Sequence, residues 1–129
     1  MFITSDLTLI EAAGVARRYR NSGKLTEQEF NIFLAGLTRD LAQTVTTYKI
    51  SDYITVLAMS YSKDYGLRGG DAIHLGTAVR AGDLGYPQPI IFVASDKRLI
   101  SGAEMVGISF LNPEDAGALE RLKSLRRPP

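Results

Sequence analysis

Apolar and polar positions in this chain change period repeatedly, and each change marks an element. Phe2 to Thr4 is a short β-prone stub, and Ser5 then offers an N-cap for a helix from about Asp6 to Asn21 with Gly23 as its stop. TEQE at Thr26 to Glu29 is a capping box. Phe30, Phe33, Leu34, Leu37 and Leu41 come next at helical spacing, which predicts a second amphipathic helix. The β-branched and aromatic run Thr44 to Ile50 predicts a strand, and Ser51 caps a helix that carries Ile54, Leu57, Ala58, Tyr61 and Tyr65 to a stop at Gly66. LRGG reads as a loop in which Gly69 and Gly70 free the backbone to turn. The helix that opens at Asp71 is small and apolar on every face (Ala72, Ile73, Leu75, Gly76, Ala78, Val79), so it is expected to be buried.

GDLGYPQP, from Gly82 to Pro89, is turn chemistry. IIFVA, Ile90 to Ala94, shows no alternation, which predicts a strand buried on both faces of a parallel sheet. Ser95 would cap a short helix containing Arg98, Leu99 and Ile100. Ile108 to Asn112 reads as a last strand, and Asn112 with Pro113 gives an N-cap and a first-position proline for a helix through Leu119, Leu122 and Leu125. Strands alternating with helices predict an α/β fold with a parallel sheet.

Composition narrows the function classes. A length of 129 residues suits one domain, expected over residues 1–125 with a short tail at 126–129. Fifteen Lys and Arg against fourteen Asp and Glu give a net charge of +1, so any nucleic-acid contact must be local. The absence of cysteine excludes disulfides and thiolate metal sites. No run approaches the ~20 apolar residues of a membrane span, and the N-terminus lacks the basic start of a signal peptide, so a cytoplasmic protein without membrane contact is expected.

Three acids stand where the pattern needs an explanation. Glu11 shares a helix face with Leu7, Gly14 and Val15, where apolar side chains belong; it either takes a partner or reaches to water. Asp71 sits in the first turn of its helix, where it also suits the helix dipole. Asp96 comes directly after IIFVA, at the strand end where open α/β sheets bind ligands, and SDKRL also reads as a plain helix start. All three lie in the first two turns of helices, and parallel topology brings such positions to one edge. Several carboxylates with one histidine and no cysteine suit Mg²⁺ or Mn²⁺, and the chemistry such a site serves is phosphodiester hydrolysis. His74, one turn after Asp71, reads first as a core residue and second as a general acid or phosphate contact.

In three stretches the chain resembles the PIN-domain family of metal-dependent ribonucleases, which includes the toxins of VapBC-type toxin–antitoxin pairs. ITSDLTLIEAAGVARRYRNSGKLT resembles the family's second strand and its next helix, with its acid at Glu11. YGLRGGDAIHLGTAVRAG resembles the most recognisable block, with its acid at Asp71 and the usual His-Leu at His74 and Leu75. IIFVASDKRLISGAEMVGISFLNP resembles the strand that ends in the last acid, Asp96, preceded by Ser95. The resemblance implies a three-layer α/β/α fold around a central parallel sheet, with Glu11, Asp71 and Asp96 as catalytic metal ligands for Mg²⁺ or Mn²⁺. It also implies an RNA substrate, an antitoxin protein as partner and a homodimer. Arg68, Ser95, Lys97, Arg98 and His74 are the candidate substrate contacts.

The family's first strand, which carries its first metal-binding aspartate and lies mid-sheet, has no counterpart here. The fold is therefore expected to be N-terminally truncated relative to the family and its activity impaired. The gap would be filled by an upstream segment, an element swapped from a second copy, or a rearranged sheet. The rival expectation is a non-catalytic module that keeps the scaffold to bind a partner such as an antitoxin, its carboxylates paired with arginine. The Phe-rich helix from Thr26 to Leu41 reads as ordinary core or as an interface.

Overall fold

In the computed structural model, residues 1–126 are described; the rest of the expected tail, 127–129, lies outside the described residues. The order is β1 (Phe2–Ser5), α1 (Leu7–Asn21), α2 (Glu27–Thr44), β2 (Val45–Tyr48), α3 (Asp52–Tyr65), α4 (Gly69–Asp83), β3 (Ile91–Val93), α5 (Lys97–Met105), β4 (Ser109–Leu111) and α6 (Ala118–Arg126). One or two helices separate successive strands, and both strand pairs are parallel. They form two separate two-stranded sheets, β1 with β2 and β3 with β4. The chain packs as two compact units, 1–52 and Tyr53 onward.

In the first unit β1 pairs with β2 from Phe2 opposite Val45 to Ser5 opposite Tyr48. The Asp6 N–H extends the ladder by donating to the Tyr48 carbonyl at 3.0 Å. Ser5 is buried and its Oγ accepts from the Leu7 N–H at 3.2 Å, so it does serve the helix start, although Asp6 occupies the backbone N-cap position. α1 closes with a Schellman motif. The Lys24 N–H donates to the Tyr19 carbonyl at 2.9 Å and the Gly23 N–H to that of Arg20 at 3.0 Å. Gly23 supplies the left-handed backbone this closure requires, at φ 75°.

The TEQE box forms as the sequence predicts. The Glu29 N–H donates to Thr26 Oγ1 at 3.2 Å, and the Thr26 N–H donates to Glu29 Oε2 at 2.8 Å. The Thr26 N–H first, and second its hydroxyl, which also donates to Glu29 Oε2 at 2.8 Å, favour the ionised carboxylate and hold the Glu29 pKa below its ordinary value. Because the folded-state pKa is lowered, the stabilisation is present above the ordinary glutamate range and is lost as pH falls through the folded value. Thr26→Ala is expected to lose about 1 kcal/mol in stability and to move the Glu29 titration midpoint upward. Denaturant unfolding and a carboxyl-carbon NMR titration measure these two effects. The apolar stripe beyond the box is less buried than a core helix requires. Phe30, Leu34, Leu37 and Leu41 are half-buried, while Ile32 and Phe33 are exposed.

The second unit holds the main core. Leu75, Ala72 and Ala103 are fully enclosed, with Leu99, Leu67, Ala58 and Tyr61 around them. Small residues let the helices approach. A Cβ on Gly76 would stand 3.3 Å from the Ile54 carbonyl oxygen of α3, and one on Gly102 would stand 3.0 Å from Leu67 Cδ1 and 3.2 Å from Leu75 Cδ2. β3 and β4 pair from Ile91 opposite Ser109 to Val93 opposite Leu111.

Three expectations change here. LRGG is not a loop throughout: α4 begins at Gly69 after an extended Arg68, and neither Gly69 nor Gly70 has positive φ. Low helix propensity matters least in a first turn, where backbone N–H groups lack intrahelical partners anyway, and the buried Ala72 anchors that turn. IIFVA is not buried on both faces: among the described residues β3 has β4 as its one strand neighbour, its Ile91 and Phe92 are half-buried, and Val93 is exposed. Asn112 and Pro113 do not open the last helix. Asn112 Oδ1 accepts from the Glu114 N–H at 3.1 Å and its Nδ2 donates to Asp115 Oδ1 at 2.7 Å, a local turn that delays α6 to Ala118.

Candidate functional site

At the C-terminal end of β3 the chain passes from sheet to helix. The Ala94 N–H continues the ladder by donating to the Leu111 carbonyl at 3.1 Å, after which the chain leaves the sheet through Ser95 and Asp96 into α5. The cap of α5 is Asp96 and not Ser95. Asp96 Oδ1 accepts from the Arg98 N–H at 2.9 Å and the Leu99 N–H at 3.1 Å. A carboxylate suits that position because it meets two unpaired N–H groups and the positive end of the helix dipole. The second oxygen, Oδ2, takes no part in the cap. Ser95, Lys97 and Arg98, the neighbours of Asp96 in the chain, are exposed.

Asp71 occupies the third position of α4, in its first turn, and is half-buried. None of the ion pairs seen among the described residues involves it. Arg68, exposed, is the N-cap residue of the same helix. His74 lies one turn on, half-buried and engaged by a neighbour, on a helix whose fully buried positions are Ala72, Leu75, Gly76, Thr77, Ala78 and Ala81. It therefore sits at the margin of the core.

Asp71 and Asp96 are related through their neighbours in the chain. Ala72, next after Asp71, and Leu99, three residues after Asp96, belong to one buried cluster. The starts of α4 and α5 thus rest on a common core and each carries an acid, with exposed Arg68 before Asp71 and exposed Lys97 and Arg98 after Asp96, and Asp96 adds the end of a parallel strand. Glu11 belongs to the other unit. It lies in the second turn of α1, exposed and engaged by a neighbour; it does not point among apolar side chains, since α1 buries Ala16 instead. Among the described residues, neither unit gathers three Asp, Glu or His side chains into a group able to hold a metal ion.

Two carboxylates on neighbouring helix starts still have a definite chemistry. Mg²⁺ keeps several waters and is commonly held by one or two carboxylates together with substrate phosphate, whereas an all-protein cage is the habit of other cations. A groove of the second unit lies elsewhere. It measures about 290 Å³ and is lined by Gly82, Ile90, Val106 and Ile108, at the opposite strand ends from Asp96. Two features were not expected from the sequence. Tyr53 Oη donates to Asp83 Oδ2 at 2.9 Å with the Arg80 guanidinium 5.1 Å from its ring centroid, which ties the start of α3 to the end of α4. The other is the cation-rich end of α1, whose signal was the run Arg17-Arg18-Tyr19-Arg20.

No protein-family model matches the chain, and no curated protein matches it. No helix among the described residues is long and apolar enough to cross a membrane.

Proposed function

We propose that this chain is a metal-dependent endoribonuclease of the PIN type, the toxin of a VapBC-like pair, with Asp71 and Asp96 as its principal metal ligands. The observation that carries this reading is the placement of Asp71 in the first turn of α4 and of Asp96 at the N-cap of α5, two helix starts over one core, with Asp96 just after a parallel strand. That strand end is where open α/β sheets bind ligands. When bound there, Mg²⁺ or Mn²⁺ would lower the pKa of an attacking water and neutralise charge on the phosphodiester. Asp96 contributes Oδ2, because Oδ1 is held by the helix cap. Asp71 contributes a carboxylate whose surroundings are half dry, which strengthens its attraction for a cation. Arg68, Lys97 and Arg98 flank the acids as phosphate contacts, with Ser95 beside them.

In this reading the fold is the family's three-layer one. The exposed Ile32 and Phe33 of α2 support a protein partner, an antitoxin or a second copy of the chain. The test is incubation of labelled RNA with the protein in Mg²⁺ or Mn²⁺ and in chelator. Cleavage in metal alone supports the enzyme; cleavage unaffected by chelator removes the metal from it. The capping duty of Asp96 favours one other reading, a non-catalytic module whose acids serve structure. Intact RNA in every metal, with tight binding of an antitoxin-like partner, would establish that reading instead.

A further inference from the structure

The end of α1 concentrates positive charge around an exposed aromatic ring. Between Ala12 and Thr26 the chain has four cations, Arg17, Arg18, Arg20 and Lys24, and no acid. Arg20 is already committed: its Nη1 pairs with Glu27 Oε2 at 3.1 Å and its guanidinium lies 4.7 Å from the Phe30 ring centroid. The others have a different setting. The Schellman closure through Gly23 turns the chain back, so that the Lys24 ammonium comes to 5.2 Å from the ring centroid of Tyr19. Arg18 folds along the helix toward Gly14, where a Cβ would stand 3.8 Å from its Nη1. Val15, Arg18, Tyr19, Ser22 and Lys24 together line a groove of about 350 Å³, with Tyr19 46% exposed.

We propose that this groove binds single-stranded RNA, with Arg18 and Lys24 on phosphates and the Tyr19 ring as a stacking surface for a base. A run of cations uninterrupted by acids suits a chain of phosphates, and an exposed ring among those cations suits an unpaired base, which a simple anion does not offer. Backbone geometry holds the arrangement, because the Lys24 N–H is bonded to the Tyr19 carbonyl itself. The choice of RNA rests on the ribonuclease reading; the groove's own chemistry needs no metal.

The test is fluorescence anisotropy of a labelled single-stranded RNA of about a dozen nucleotides with the full chain in chelator, where cleavage is silent. Arg18→Ala with Lys24→Ala is expected to weaken binding about tenfold or more and to reduce the salt slope by about 1.4, two phosphate contacts being lost. Tyr19→Leu, which keeps bulk without the aromatic face, is expected to weaken it about tenfold. Circular dichroism checks that each variant is folded. Unchanged affinity in the folded double variant overturns the proposal. So does absent binding by the parent chain, or equal affinity for heparin or anionic vesicles without any effect of Tyr19→Leu. Because metal is absent, a failure here leaves the cleavage result standing, and a failure of cleavage leaves this one standing.

Discussion

Asp71→Asn is expected to lower metal-dependent RNA cleavage about 100-fold or more, since each tenfold is about 1.4 kcal/mol of barrier and a metal's stabilisation of transition-state charge is worth several. Asparagine keeps the shape of the side chain and removes its charge. The fold should tolerate the change. Asp71 makes no contribution to the N-cap of α4, and loss of a first-turn charge costs only about 0.3–1 kcal/mol through the helix dipole. Cleavage of labelled RNA, measured beside far-UV circular dichroism, separates the two effects. A folded variant that cleaves as well as the parent chain would remove Asp71 from the metal site. Asp96 allows a complementary comparison, because asparagine also caps helices. Asp96→Asn should therefore lose cleavage with little loss of stability, whereas Asp96→Ala loses both the charge and the two bonds to the Arg98 and Leu99 N–H groups.

The largest effect on stability is expected at Leu75. It is fully enclosed at the centre of the core, and its Cδ2 lies only 3.2 Å from where a Cβ on Gly102 would stand, so α4 and α5 meet around it. Leu75→Ala deletes those contacts and leaves a space that rigid helix backbones cannot close, at a cost of about 2–5 kcal/mol. Leu119, 57% exposed on α6, provides the contrast: Leu119→Ala should fall within about 0.5 kcal/mol of the parent chain. Urea unfolding measures both. Equal midpoints for the two variants would mean that the core is not centred on Leu75.

How far the sequence foretold this structure depended on whether a signal was local. The capping box Thr26 to Glu29 and the stops at Gly23 and Gly66 are decided by hydrogen bonds and backbone angles within a few residues, and the structure has them as read. Choices between adjacent candidates were harder. Ser95 and Asp96 are both good caps, and the pattern could not weigh one carboxylate oxygen serving two N–H groups against a hydroxyl. Gly69 and Gly70 read as a turn because propensity carries no information about the burial of Ala72, which fixes the first turn of α4. IIFVA looked doubly buried because apolar content cannot reveal how many strands are available to flank it. Among the acids, the helix-start character of Asp71 and Asp96 was visible from spacing and their shared core was not, since Ala72 and Leu99 are distant in the chain. Glu11 illustrates the limit of a helical face: sharing it with Leu7 and Val15 left open whether it takes a partner or reaches to water, and the face itself is open to solvent, since Val15 is exposed too.

A Mn²⁺ titration of the chain, monitored by its melting temperature, tests the metal assignment most directly. A cation held by the folded state alone stabilises by mass action, about 2.7 kcal/mol at a hundredfold excess over the dissociation constant. A site built on Asp71 and Asp96 predicts a saturable rise that disappears in the Asp71→Asn, Asp96→Asn double variant, whose helix cap is kept. No rise in the parent chain, or the same rise in the double variant, would contradict it.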